Sequence, residues 1–162
     1  MGSSSSPAEP GAVDVDRALL AALARDGRAS FTELAERVGL SVSAVHQRVR
    51  RLEQRGLITG YRATVDATRI GLPLTAFVSI TPTDAQTDDA PSLLAHLDAI
   101  EECHAVAGVE SYILKVRVAS PDALEQLLKE IRSAAKVTTR TTVVLSTSYE
   151  ARPPSPTARR PR

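Results

Sequence analysis

The chain has 162 residues, a formal net charge of +1, 24% charged and 43% hydrophobic residues, which allows one ordinary domain or two small ones. It has no apolar run near the length of a membrane span, and Met1-Gly2-Ser3-Ser4-Ser5-Ser6-Pro7 lacks the charged and apolar regions of a secretory signal, so a cytoplasmic location is expected. A single cysteine, Cys103, excludes an internal disulfide, and neither it nor the three scattered histidines has zinc-ligand spacing, so no metal or cofactor is expected.

Charge is segregated along the chain. Residues 1–66 carry one more basic than acidic side chain, 67–150 an excess of four acids, and the end Arg152, Arg159, Arg160 and Arg162. Basic residues concentrate in 48–55 and at the C-terminus, as expected if one part meets a polyanion. Small domains bury little surface alone, so assembly is also expected.

Residues 1–12 are mostly Ser, Pro, Ala and Gly without apolar period and are expected to be disordered. Val15, Leu19, Leu20 and Leu23 then recur on one helical face after Asp14, a candidate N-cap, and Gly27 closes the run. Ser30-Phe31-Thr32-Glu33 has the form of a capping box and starts a second helix burying Phe31, Leu34, Ala35 and Val38, which stops at Gly39. Ser41 caps a third helix with Val42, Val45, Val49 and Leu52 inward, ending at Gly56. Residues 58–65 alternate with period two and read as a strand leaving the helical unit.

Beyond Gly71-Leu72-Pro73 the pattern gives a strand over 74–81, a helix over 91–100, a strand over 102–107, a turn at Gly108 and a strand over 112–118. Ser120-Pro121 places a cap and an N1 proline before a helix burying Leu124, Leu127, Leu128 and Ile131, and 137–149 reads as a last long strand. The order βαββαβ predicts an α+β, ferredoxin-like domain with both helices on one face of an antiparallel sheet. Another subunit is the economical cover for the other face. The boundaries follow: a three-helix unit at 13–57, a linking strand and hinge at 58–73, an α+β domain suited to oligomerisation at 74–149, and a disordered basic tail at 150–162. The tail reads better as a solvated end than as a DNA-reaching arm.

A DNA-reading helix needs an apolar face for its partner helices and an opposite face that donates to base edges and phosphates. With Val42, Val45, Val49 and Leu52 inward, the outward set on the third helix is Ser43, Ala44, His46, Gln47, Arg48, Arg50 and Arg51. Ser43, His46, Gln47 and Arg50, near the N-terminal end, are assigned to base edges. Arg48, Arg51 and Arg55 form a more C-terminal stripe suited to phosphate oxygens. The capping Ser41 completes the candidate DNA-binding set.

These motifs, in order, resemble the leucine-responsive and asparagine regulator (Lrp/AsnC, feast/famine) family over roughly residues 13–149. The resemblance rests on Asp14-Val15-Asp16-Arg17, Asp26-Gly27-Arg28, Glu33-Leu34-Ala35, Val38-Gly39-Leu40-Ser41, Arg48-Val49-Arg50-Arg51-Leu52-Glu53 and Gly56-Leu57-Ile58 with Gly60-Tyr61. It continues in Gly71-Leu72-Pro73, Tyr112-Ile113-Leu114-Lys115-Val116 and Arg140-Thr141-Thr142-Val143-Val144-Leu145. It implies a winged helix-turn-helix DNA-binding domain at 13–57 followed by a regulator-of-amino-acid-metabolism domain at 74–149 that binds an effector and oligomerises. It also implies dimers that assemble to tetramers or octamers, binding of double-stranded DNA, and transcriptional control modulated by an amino-acid effector.

Family members commonly carry an acid just before the tyrosine of the effector loop, whereas here the loop reads Gly108-Val109-Glu110-Ser111-Tyr112. An amino acid presents an ammonium and a carboxylate, so its site needs an anionic or carbonyl acceptor and several donors. Glu110 is the candidate acceptor in place of the missing aspartate, with Ser111, Thr139, Thr141 and the amides after Gly108 as donors. His104, Val109 and Tyr112 complete the candidate effector set. Gly108 as a plain hairpin turn, and Thr139 and Thr141 as ordinary strand formers, are equally open readings.

Two other functions stay open from sequence. A ferredoxin-like enzyme is one, but Cys103 has only His104 beside it, on the opposite side of a strand, and reads better as a buried structural thiol. The other is an amino-acid-binding adaptor or hetero-oligomer partner that binds no DNA of its own; the Ser43, Gln47 and Arg50 face argues against it.

Overall fold

The computed structural model describes residues 10–84 and 89–153. Among these, 10–64 with 149–153 form one compact unit and Val65–Ser148 the other. No helix among the described residues is long and apolar enough to cross a membrane.

The first unit is built from α1 (Pro10–Arg25), α2 (Phe31–Val38) and α3 (Val42–Gln54). Leu19 and Ala22 from α1, Leu34 and Ala35 from α2, and Val45, Val49 and Leu52 from α3 make its buried core, with Val15, Leu20, Leu23, Val38 and Ile58 packed around it. The helix ends follow the sequence chemistry. The Ser30 hydroxyl accepts from the Glu33 amide at 3.2 Å while the Glu33 carboxylate accepts from the Ser30 amide at 2.7 Å, so the capping box closes both ways. Gly39 ends α2 in the left-handed region at φ 69°, where a Cβ is strained, and the Ser41 hydroxyl two residues on accepts from the Ala44 amide at 3.3 Å.

The structure departs from the sequence reading in this unit at four places. Residues 10–12, expected outside the fold, already belong to α1, which starts four residues before Asp14 because proline suits the first helical position. The rest of the expected disordered N-terminus lies outside the described residues. Phe31 and Val42 were expected inward but are 38% and 46% exposed; both sit at the first turn of their helices, beyond the reach of the three-helix core. Residues 58–65 form no strand, because a strand is defined by its ladder and this segment has no ladder partner among the described residues. It is held instead by side chains: the Tyr61 hydroxyl donates to Glu53 Oε1 at 2.9 Å, and its ring lies so near Gly27 that a Cβ there would sit 3.3 Å from Cδ1.

The second unit contains β1 (Leu74–Pro82), α4 (Ala90–Leu94), β2 (Ile100–Ala105), β3 (Tyr112–Val118), α5 (Pro121–Ala135) and β4 (Val137–Val143). This is the expected βαββαβ order. All pairings are antiparallel, in the order β2-β3-β1-β4. Ala76, Val78 and Ile80 of β1 and Leu114, Val116 and Val118 of β3 bury one sheet face beneath Leu124, Leu127 and Ile131 of α5 and Leu94 of α4. The alternate residues, Phe77, Ser79, Ile113, Lys115, Arg140 and Thr142, therefore line the opposite face, which no element among the described residues of this unit covers.

Three elements here differ in extent from the sequence reading. The helix over 91–100 shrinks to α4, since Leu93 stays exposed and the chain leaves the helix through turns closing at Leu97 and Ile100. Strand β2 runs from 100 to 105 rather than 102 to 107, with a bulge between Ile100 and Glu102. Strand β4 ends at Val143, where its ladder with β1 closes opposite Ala76, and past it the Val144 amide donates to the Thr75 carbonyl at 2.9 Å. Nor is Cys103 buried: it lies on an edge strand under a helix too short to cover it, exposed beside a cleft of about 250 Å³ walled by Pro91, Leu94, Leu97 and Leu114. Partial desolvation pushes its thiol pKa up.

Candidate nucleic-acid interface and effector loop

The nucleic-acid candidates sit on α3 because its buried stripe leaves the opposite face to water. Ser43, His46, Gln47, Arg50, Arg51 and Arg55 are all exposed, and Ala44 is half-buried. Ser43, His46 or Gln47, Arg50 and Glu53 or Gln54 follow one another at helical spacing, giving one polar track. Near its middle, Phe31 of α2 meets the His46 ring edge-on, with centroids 4.9 Å apart, and an open cleft of about 310 Å³ lies among Phe31, His46, Val49, Arg50 and Glu53. The aromatic contact fixes the His46 ring against the scaffold. Ser41 serves mainly the helix itself, capping Ala44 and sharing a hydrogen bond with the Ser43 hydroxyl at 3.2 Å.

Arg48 is placed differently from its expected phosphate role. Its Nη1 donates to Asp16 Oδ1 of α1 at 2.9 Å, and both side chains keep only about a quarter of their surface, 27% and 26%. Arg48 is thus a brace between α3 and α1, and the exposed cations of α3 and its C-cap are Arg50, Arg51 and Arg55. Sequence reasoning missed the brace because its partner lies 32 residues away. The Asp14-Val15-Asp16-Arg17 motif was the available signal.

The effector candidates do not all converge. Glu110, its side chain only 18% exposed, forms an ion pair with Arg140, whose side chain is 76% exposed. Arg140 is the residue the sequence reading missed, because it lies between the candidate Thr139 and Thr141 on a strand whose side chains alternate. In register, Ser79 pairs with Arg140, whereas Ile80 and Val78, both buried under the helices, pair with Thr139 and Thr141. The two threonines therefore face the helix layer, away from Arg140, and Thr139 Oγ1 accepts from Arg132 of α5 at 3.0 Å. Tyr112, paired with Ile80, packs against the same helix-covered core.

His104 does lie on the uncovered face, in one cross-strand row with Ile113, Ser79 and Arg140. Three strand spacings, about 14 Å, separate it from Arg140. Its Nε2 is 2.9 Å from Glu102 Oε2, within a chain of charges in which Lys115 reaches Glu101 and Glu102 and Arg117 Nε donates to Glu101 at 2.6 Å. Desolvation works against the Glu101 carboxylate, but bonds from Arg117 and Lys115 outweigh it and hold its pKa below the usual range. In the loop, the Ser111 amide donates to the Ile80 carbonyl at 3.1 Å, so that donor is already used. Val109 is 91% exposed, and a Cβ on Gly108 would meet nothing within 4 Å. What the loop offers is a paired acid and base at the sheet edge: Glu110 can accept from an ammonium, and Arg140 can donate to a carboxylate.

Among the described residues, no three His, Cys, Asp or Glu side chains cluster to hold a metal ion.

Comparison with known proteins places both units. The AsnC-type helix-turn-helix domain matches residues 14–53, and the Lrp/AsnC ligand binding domain matches residues 75–154. The chain is 56% identical over 140 residues to the HTH-type transcriptional regulator LrpA of Mycobacterium tuberculosis, covering 86% of this chain and 93% of that protein. It is 40% identical over 136 residues to the leucine-responsive regulatory protein of Escherichia coli K12, covering 81% and 83%. Among solved structures, the feast or famine regulatory protein from M. tuberculosis complexed with L-methionine is 55% identical with a TM-score of 0.83, covering 85% of this chain and 94% of that one. These relatives are regulators, which sets aside the enzyme reading of the ferredoxin-like unit. The chain belongs to the Lrp/AsnC family of DNA-binding transcriptional regulators, an AsnC-type helix-turn-helix joined to an Lrp/AsnC ligand-binding domain.

Proposed function

We propose that this regulator reads duplex DNA with the polar track of α3, assembles with further copies of itself, and is tuned by a free amino acid held at the Glu110–Arg140 pair. In this reading Ser43, His46, Gln47 and Arg50 meet base edges in the major groove, and Arg51 and Arg55 meet phosphates. The observation that carries it is the exposed guanidinium and amide face of α3, held rigid from behind by the buried stripe and the Arg48–Asp16 brace.

Assembly belongs to the mechanism. The helix-turn-helix half carries little net charge, so a single head has weak electrostatic purchase on DNA, and two heads on one oligomer engage spaced half-sites with a much higher effective concentration. The uncovered sheet face, with Phe77 42% exposed among partly buried ion pairs, is the surface a second copy would cover. An effector that binds one assembly better than another shifts the head spacing by its differential affinity alone.

An amino-acid zwitterion fits the paired charges of Glu110 and Arg140, and the methionine complex of the M. tuberculosis relative makes methionine and leucine the first ligands to try. The test is light scattering of the full chain with and without each amino acid, followed by DNA binding on the region upstream of its own gene. An oligomer that binds that DNA, and changes size or affinity with one amino acid, supports the reading. A monomer indifferent to DNA and to every amino acid would overturn it.

A further inference from the structure

We infer that a second DNA contact lies beside α3: a cleft lined by Arg25, Arg28 and Arg62 that takes the sugar-phosphate backbone running past the recognition helix. The inference rests on the DNA-reading face proposed above and extends it. The cleft measures about 790 Å³ and lies between the end of α1 with its following turn and the extended segment around Tyr61. The three guanidiniums are exposed and, unlike Arg48, make no ion pair among the described residues. Its one acid, Asp26, has Oδ1 engaged by the Arg28 amide at 2.9 Å, and the cleft keeps a cationic excess.

Its position argues for DNA rather than a detached anion. The cleft among Phe31, His46, Arg50 and Glu53 belongs to the polar track of α3, and the Glu53 carboxylate accepts from the Tyr61 hydroxyl at 2.9 Å. Tyr61 in turn lines the arginine cleft and packs on Gly27. One continuous surface thus runs from His46 and Arg50 through Glu53 and Tyr61 to Arg28 and Arg62. A duplex whose bases meet the first part carries a line of phosphates past its edge, and planar guanidiniums suit phosphate oxygens. With Arg48 committed to Asp16, these arginines also supply cations that α3 lacks.

The test follows the binding of the full chain to its own upstream duplex and to an unrelated duplex of equal length across a salt series. Arg28→Gln and Arg62→Gln should each flatten the log–log salt slope by about 0.9 on both duplexes while leaving the preference between them unchanged. Between about 50 and 200 mM salt this removes roughly a 3.5-fold share of the affinity loss per charge. Arg28→Lys, which keeps the charge, should keep the slope. The inference is overturned if both Gln variants keep the wild-type slope while Arg51→Gln flattens it, or if they lose affinity equally at every salt concentration. Absence of binding to either duplex by the unsubstituted chain would overturn the α3 reading as well, an outcome distinct from failure of the cleft alone.

Discussion

Removing the Arg48–Asp16 brace should loosen the helix-turn-helix without directly removing a phosphate contact. The pair joins α3 to α1 at 2.9 Å, and about three quarters of each side chain is covered. Exposed pairs contribute about 0–1 kcal/mol, and breaking a fully buried one costs about 3–5 kcal/mol. A partly exposed pair discounted for solvent screening falls between, so Arg48→Ala or Asp16→Ala should each cost about 1–2 kcal/mol, with a coupling of about 1 kcal/mol in a double-mutant cycle. That coupling corresponds to roughly a fivefold change in the opening equilibrium. It is readable as hydrogen exchange of the α1 and α3 amides in the full chain, which reports local opening of this unit. The salt dependence of DNA binding supplies the contrast: Arg51→Ala should flatten it by about 0.9, and Arg48→Ala should leave it unchanged. Zero coupling in the cycle, or an Arg48→Ala slope as flat as that of Arg51→Ala, would refute the brace and restore Arg48 to the phosphate stripe.

Other consequences are as direct. Ile131 is fully buried between α5 and the sheet, so Ile131→Ala should cost about 2–5 kcal/mol in urea unfolding of the ligand-binding unit, and a loss below 1 kcal/mol would mean the core is misplaced. The Ser120 hydroxyl caps α5 through the Ala123 amide at 3.1 Å, so Ser120→Ala should cost about 1 kcal/mol and Ser120→Asp little, measured the same way. Hydrogen bonds from Ser30 hold the Glu33 carboxyl below its usual pKa; its contribution to stability is therefore present above the unfolded-state value and lost as pH falls through the lowered folded value. Glu33→Gln should remove that part of the acid-side pH dependence of α2 exchange, and an unchanged profile would contradict the assignment. Cys103 should be alkylated in the native protein without denaturant, more slowly than a free thiol at neutral pH because desolvation raises its pKa. Reaction only after unfolding would show it to be covered.

What was legible in the sequence was what local chemistry dictates. The Ser30 to Glu33 box, the glycine stop at Gly39, the Ser120-Pro121 start and the stripes Val45-Val49-Leu52 and Leu124-Leu127-Ile131 each act within one or two helical turns, and all stand in the structure. The order βαββαβ followed from the same signals. What was not legible depends on partners distant along the chain. The segment 58–65 has strand composition but no ladder among the described residues, and β4 stops at Val143, where its pairing with β1 closes opposite Ala76. Arg48 finds Asp16 across 32 residues, and Arg140 finds Glu110 across 30. For Cys103 the deciding fact was the length of α4, one element away, rather than anything in its own strand. Within the candidate effector set, strand alternation already implied that Thr139 and Thr141 share a face that Arg140 does not; register then showed which face the helices cover.

The proposed reading of DNA by α3 rests on the exposed track around Gln47 and Arg50. It is tested most directly by titrating the full chain and its Gln47→Ala and Arg50→Ala variants on the duplex upstream of its own gene and on an unrelated duplex. Each variant should lose about 1–3 kcal/mol of preference for the upstream duplex while still binding both. Variants that keep the full wild-type preference would place base reading on another surface.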